Sequence, residues 1–225
     1  MKYLLSNIKI NINEKIYLKD PESSSLGKRI IENSILLIDE IGFDVFTFKK
    51  LGLKIGSNES SIYRYFESKH MLLLYLTSWY WTWLEYQLVF STNSIENKKD
   101  KLDKAITVLC QTTIIDSAFS HIDEVILKRI VINEYSKSYL TKEVDSENKE
   151  GYFSVYKRLI NRLNDIIVTI NSDYKYPLTL ASTVVDGAMH QHFLKDHFRS
   201  ITECNATVQP TDFFKDLVFN TLKIK

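Results

Sequence analysis

Apolar residues recur at helical spacing along most of this chain. Ile30, Leu37, Ile38 and Ile41, with Ser34 among them, make one face of a helix predicted from about Leu26 to Ile41, which Gly42 stops. Leu51 and Ile55 share a face on a second, short helix, and Ile62 and Phe66 on a third. Between the two lies a tight turn at Gly56-Ser57, and Asn58 follows it as an N-cap. A fourth helix, from Ser68 to about Phe90, is apolar all round and crowded with rings: Tyr75, Trp79, Trp83, Tyr86 and Phe90 lie on one face. A helix of that kind is buried in a core or spans a membrane. Glu85 and Gln87 interrupt it, which favours a long central helix over a span. Further helical patterns follow through Leu102, Ile106, Leu109 and Ile114, then through Ile122, Val125, Ile126 and Ile130. Thr141–Glu150 is a charged loop or helix start. Long helices are then expected over Tyr152–Ile170 and Pro177–His197, and a last one, capped by Thr211, carries Phe213, Phe214, Leu217, Val218 and Leu222.

One stretch breaks the helical period. Ile8, Ile10 and Ile12, then Ile16 and Leu18, alternate with polar residues, which is a strand period with a turn at Asn13-Glu14. Two readings stay open for residues 1–24: a short hairpin packed on the body, or a basic arm reaching DNA. The predicted class is all-α, with that arm at 1–24, a helix-turn-helix head at 25–75 and a helical body at 76–225.

The chain has 225 residues, 44% of them hydrophobic, enough to build a sizeable core, and a formal net charge of +1. That balance argues against indiscriminate nucleic-acid binding. Locally the picture changes: Lys49, Lys50, Lys54, Arg64 and Lys69 oppose only Glu59 and Glu67 around the Gly56 turn. Such an excess suits a phosphate-facing surface, and a solvated helical face would look alike. Cys110 and Cys204 match no metal or redox spacing and read as reduced thiols of a cytoplasmic protein. The first residues lack the apolar core and cleavage site of a signal peptide.

No Gly-rich phosphate loop, paired-cysteine motif or nucleophile elbow is found, so the sequence predicts no catalytic residue, no metal and no cofactor. His190 and His192 are two apart and do not share a helix face.

The stretch TFKKLGLKIGSNESSIYRYFESKHMLL (Thr47 to Leu73) resembles the DNA-binding domain of TetR-type transcriptional regulators. Ile62-Tyr63-Arg64-Tyr65-Phe66 and Ser68-Lys69 stand in register with that family's recognition helix and following helix start, and Ile30 to Phe43 with its first helix. Departures fall at Lys50, Ser57, Glu59, Ser60 and Tyr65. Glu59 is the least expected, since a carboxylate repels phosphate unless it accepts from a cytosine amino group.

The resemblance implies a regulator, a repressor in the family's commoner mode, released from its operator by a small apolar or aromatic ligand. It implies a homodimer reading a near-palindrome in double-stranded DNA. Thr47, Lys49, Asn58, Glu59, Ser60, Ser61, Tyr63, Arg64, Tyr65 and Lys69 become the expected DNA contacts. Trp79, Trp83, Tyr86 and Phe90 are the expected ligand-cavity lining. The last two long helices would form the dimer seam, through Ala181, Val184, Ala188, Phe214 and Leu217. Two rivals remain open: a ligand-independent regulator controlled by a protein partner, and a helical enzyme carrying a helix-turn-helix.

Overall fold

The computed structural model describes residues 10–112 and 121–224. Within them all regular structure is helical: α1 (Ser25–Ile41), α2 (Phe48–Ile55), α3 (Glu59–Tyr63), α4 (Lys69–Thr92), α5 (Lys98–Cys110), α6 (Glu124–Asn133), α7 (Tyr135–Tyr139), α8 (Val144–Lys149), α9 (Ser154–Ile170), α10 (Pro177–His197) and α11 (Pro210–Leu222). Ile114 of the predicted fifth helix lies outside the described residues. The chain divides into two compact units: Met1–Thr82 with Thr113–Ser154, and Trp83–Thr112 with Val155–Lys225. Helix α4 passes from the first into the second.

In the first unit, α1 buries Ile30, Ile31, Ile35, Leu37 and Ile38, and packs on α2 and α6. Ser34 sits in the same buried stripe because its hydroxyl donates back to the Ile30 carbonyl at 2.6 Å, leaving no unmet polar group. Ser24 caps the start of α1, accepting from the Gly27 amide at 3.0 Å, and Gly42 ends the helix. Gly27 is fixed by crowding: a Cβ there would stand 2.1 Å from the Pro21 carbonyl oxygen.

The hairpin, one of the two readings left open for residues 1–24, does not form among the described residues. Residues 10–24 hold two 3-10 turns, Glu14–Ile16 and Pro21–Ser23, and no strand, while Ile8 lies outside the described residues. Ile10, Ile12 and Ile16 are buried, so the alternation does report packing. A ladder is missing because Asn13 bonds the Lys15 amide at 3.0 Å and Asp20 bonds the Glu22 amide at 2.9 Å, turning the chain at both places. The result is a strap. One end is tied by Asn13 to the Glu150 carbonyl at 2.9 Å and by Lys15 to the Glu150 carboxylate at 2.6 Å. The other end reaches Tyr65, whose carbonyl accepts from the Leu18 amide at 2.8 Å.

In the second unit, α5, α10 and α11 pack against one another. Ala181, Val184, Val185 and Ala188 of α10 are fully buried, and the Phe214 ring of α11 lies so close to Gly187 that a Cβ there would meet its Cζ at 2.6 Å. This corrects the expected dimer seam. Ala181, Val184, Ala188 and Phe214 are consumed inside one protomer, because small residues let α11 approach α10 closely. Leu217 alone of that set keeps partial exposure. The last helix also starts differently: Gln209 is the N-cap, its amide donating to Asp212 at 2.9 Å, and Thr211 is a buried helical residue.

Glu85, predicted as an interruption of α4, is buried in this unit and answered by two arginines of α9. Arg158 chelates it, with Nε–Oε1 at 2.7 Å and Nη2–Oε2 at 2.6 Å, and Arg162 Nε adds a third contact at 2.5 Å. Burial pushes the carboxyl up, but the hydrogen bonds and charges of the two arginines outweigh it and hold Glu85 below the usual carboxylate range.

Candidate nucleic-acid interface

The Gly56 turn sets the geometry of the head. Thr47 caps α2, its hydroxyl accepting from the Lys50 amide at 3.2 Å, and Gly56 closes the helix in the left-handed region at φ 61°. The Arg29 guanidinium donates to the Ile55 carbonyl and satisfies the last turn of α2. Asn58 then opens α3, accepting from the Ser61 amide at 2.9 Å. Beneath both helices Phe46, Phe48, Leu51, Ile55, Ile62 and Phe66 form the core, so opposite faces of α2 and α3 turn outward.

What those faces carry is the candidate reading surface. Tyr63 is 47% exposed, and its ring is braced edge-on by Phe48 at 4.9 Å between centroids. Arg64 and Lys49 are exposed and Glu59 is half-exposed. Among the described residues, none of these three side chains makes a hydrogen bond or ion pair. The hydroxyls of Ser60 and Ser61 both donate to the Asn58 side-chain oxygen Oδ1, with Ser60 at 3.0 Å. Each must let go of Asn58 to meet a phosphate. Lys50 and Lys54 are engaged at the periphery, by the Val45 carbonyl at 2.9 Å and the Glu40 carboxylate at 3.1 Å.

Two of the sequence-predicted contacts are corrected. Tyr65 is buried, its hydroxyl sharing a 2.7 Å hydrogen bond with Ser24, because it ties the end of α3 to the strap. The Lys69 ammonium points into the α1–α2 loop, where the carbonyls of Phe43 (3.0 Å), Asp44 (3.0 Å) and Phe46 (3.3 Å) accept its three protons and the Phe43 ring lies 4.8 Å away. Three acceptors exhaust an ammonium. Lys69 is a keystone of the loop that positions α2.

The same loop is gripped from α6 and α7, which sequence reasoning missed. The Phe43 amide donates to Glu134 Oε1 at 3.2 Å, and Lys137 pairs with Asp44 at 2.8 Å, holding the Asp44 carboxyl below its ordinary range. His70, at the start of α4, meets Glu147 of α8 at 2.6 Å. Nothing local in the sequence announces these pairs.

The four rings expected to line a ligand cavity are spread along α4. Trp79 and Trp83 are buried, Tyr86 is half-buried, and Phe90, its ring tilted against that of Tyr86 at 5.9 Å between centroids, is 61% exposed. Phe90 thus stands in solvent at the end of α4, which corrects its assignment as part of an enclosed lining. Among the described residues no helix is long and apolar enough to cross a membrane.

Residues 30–76 match the family model described as bacterial regulatory proteins, tetR family. No curated protein sequence matches the chain. Several solved structures share the fold. Superantigen PfiT matches with a TM-score of 0.62 at 14% identity, covering 92% of this chain and 100% of that one. A tetR-family regulatory protein from Rhodococcus RHA1 gives 0.61 at 14%, covering 89% and 97%. AibR, in complex with isovaleryl coenzyme A and operator DNA, gives 0.56 at 15%, covering 85% and 95%.

Proposed function

We propose that this chain, a TetR-type DNA-binding regulator by its head and its fold, acts in the cytoplasm as a homodimeric repressor that a small apolar or aromatic ligand releases from a near-palindromic operator. The observation that carries the reading is the outward set Glu59, Tyr63 and Arg64 on a short helix whose two ends are fixed by Asn58 and Tyr65. Arg64 suits a guanine edge, Glu59 a cytosine amino group, and Tyr63 with Lys49 and the two serines suits phosphate.

Dimerisation is assigned to the outward sides of α10 and α11, where Thr179, Thr183, His190 and His197 are exposed, Phe193 and Leu217 are partly so, and Phe213 is open. Two-fold symmetry then sets two copies of α3 on one side of a duplex. An effector site near the tryptophans of α4 is supported by their mixture of apolar surface and polar ring nitrogens. AibR, a protein of the same fold, is seen with a coenzyme A thioester and operator DNA together.

Selection of bound sequences from random DNA by the purified protein tests the reading. An inverted repeat with half-sites about one helical turn apart is the expected product. Enrichment of a sequence without two-fold character contradicts the dimeric part, and no enrichment contradicts the whole.

A further inference from the structure

We propose that Lys19, carried on the strap of residues 10–24, is a DNA-phosphate contact outside the helix-turn-helix. Tyr65, the residue after Arg64, is held by the strap in three different ways. Its carbonyl accepts from the Leu18 amide at 2.8 Å, its hydroxyl bonds Ser24 at 2.7 Å, and the Lys19 ammonium lies 5.1 Å from the centroid of its ring. These contacts fix the register of the strap against the end of α3. They leave the side chains at its outer edge in solvent: Leu18 is 66% exposed and Lys19 is also exposed.

The two lysines of the strap differ in what surrounds them. Lys15 is neutralised by Glu150 at 2.6 Å. Lys19 has no ion pair among the described residues, and the acids that follow it are occupied: Asp20 caps the Glu22 amide at 2.9 Å, and Glu22 meets His121 at 2.8 Å. A free cation is thus presented beside the reading helix, resting on a ring it can leave, since a cation–π contact at an exposed site is weak. A phosphate on the flank of the groove occupied by α3 fits that position. Such a contact adds affinity and orientation without sequence information.

The inference rests on the reading that α3 enters a groove of DNA, and the test separates the two. Binding to the selected duplex and to a scrambled one is measured across a salt series for the parent, Lys19→Gln, Lys19→Arg, Lys15→Gln and Arg64→Ala. Gln keeps the stem over the Tyr65 ring and removes the charge. Lys19→Gln is expected to lower the slope of log K against log salt by about 0.9 for each protomer bound, about 1.8 for the dimer, and to weaken both duplexes by the same factor. Lys19→Arg restores both values, Lys15→Gln changes neither, and Arg64→Ala narrows the gap between the duplexes. An unchanged slope and affinity for Lys19→Gln, with the gap narrowed in Arg64→Ala, overturns the phosphate contact and leaves the reading helix standing. If Arg64→Ala also binds as the parent does, both are overturned.

Discussion

Helices α3 and α10 are held in place by opposite means. The first has five residues, too few to be stable alone, and its position comes from one buried residue, Ile62, and from contacts at its ends: Asn58 before it, Tyr65 after it, and the strap that Tyr65 meets. The second has 21 residues and is fixed along its length by size, with Ala181, Val184, Val185 and Ala188 buried and Phe214 set against Gly187. A helix secured by one buried residue and by its ends keeps its outer side chains free for a ligand as large as DNA. A helix secured along a small-residue face spends that face inside its own chain, and what it offers a partner is the opposite side.

The hardest test of the contrast falls on α10. Ala188→Arg is expected to place an unpaired charge in a closed interior and to lower stability by about 3–5 kcal/mol in chemical denaturation. A variant as stable as the parent that only fails to dimerise in sedimentation would mean that this face is open, and the contrast with α3 would collapse.

A smaller effect is expected in the loop that positions the reader. Lys69→Ala removes three hydrogen bonds from a charged donor and should cost about 1.5–3 kcal/mol of stability. At salt concentrations where the variant is folded, the salt dependence of DNA binding should match the parent's. A slope reduced by about 0.9 for each protomer bound would return Lys69 to the phosphate-facing surface.

The smallest effect is one of pH. Because Arg158 and Arg162 hold the Glu85 carboxyl below its ordinary value of 4.5, the unfolded chain takes up that proton first as pH falls. The pair therefore stabilises the fold above that value, and its contribution is lost as pH drops through the lower folded pKa. Thermal unfolding of Glu85→Gln compared with the parent at pH 7 and pH 4 should show a difference that shrinks toward acid. A difference that grows toward acid would contradict the assignment.

Much of the framework was legible in the sequence because its signals are local. The α1 stop at Gly42, the Gly56 turn, the Asn58 cap and the start of α10 at Pro177 each rest on residues within a turn of one another. The short helix α7 was not legible, and α8 only as a charged loop or helix start over Thr141–Glu150, since what holds them is remote: Glu134 to Phe43, Lys137 to Asp44, Glu147 to His70 and Glu150 to Lys15. The strap shows the same limit. Its alternation forecast the burial of Ile10 and Ile12, while the turns at Asn13 and Asp20 decided that no ladder forms. In α10, the small residues announced close packing without saying whether the neighbour belongs to the same chain. For the reader, spacing gave the outward positions of Glu59, Tyr63 and Arg64, and only the fold revealed that Tyr65 and Lys69 turn inward.

On the proposed function, α3 reads bases through the side chains that its buried residue and its end contacts leave free. Repeating the random-DNA selection with Arg64→Ala tests it most directly. Preference should be lost at one symmetry-related position in each half-site and unchanged elsewhere, with binding to the parent's sequence weaker by about 1–3 kcal/mol for each half-site. The same base preferences at every position, with the same affinity, would contradict it.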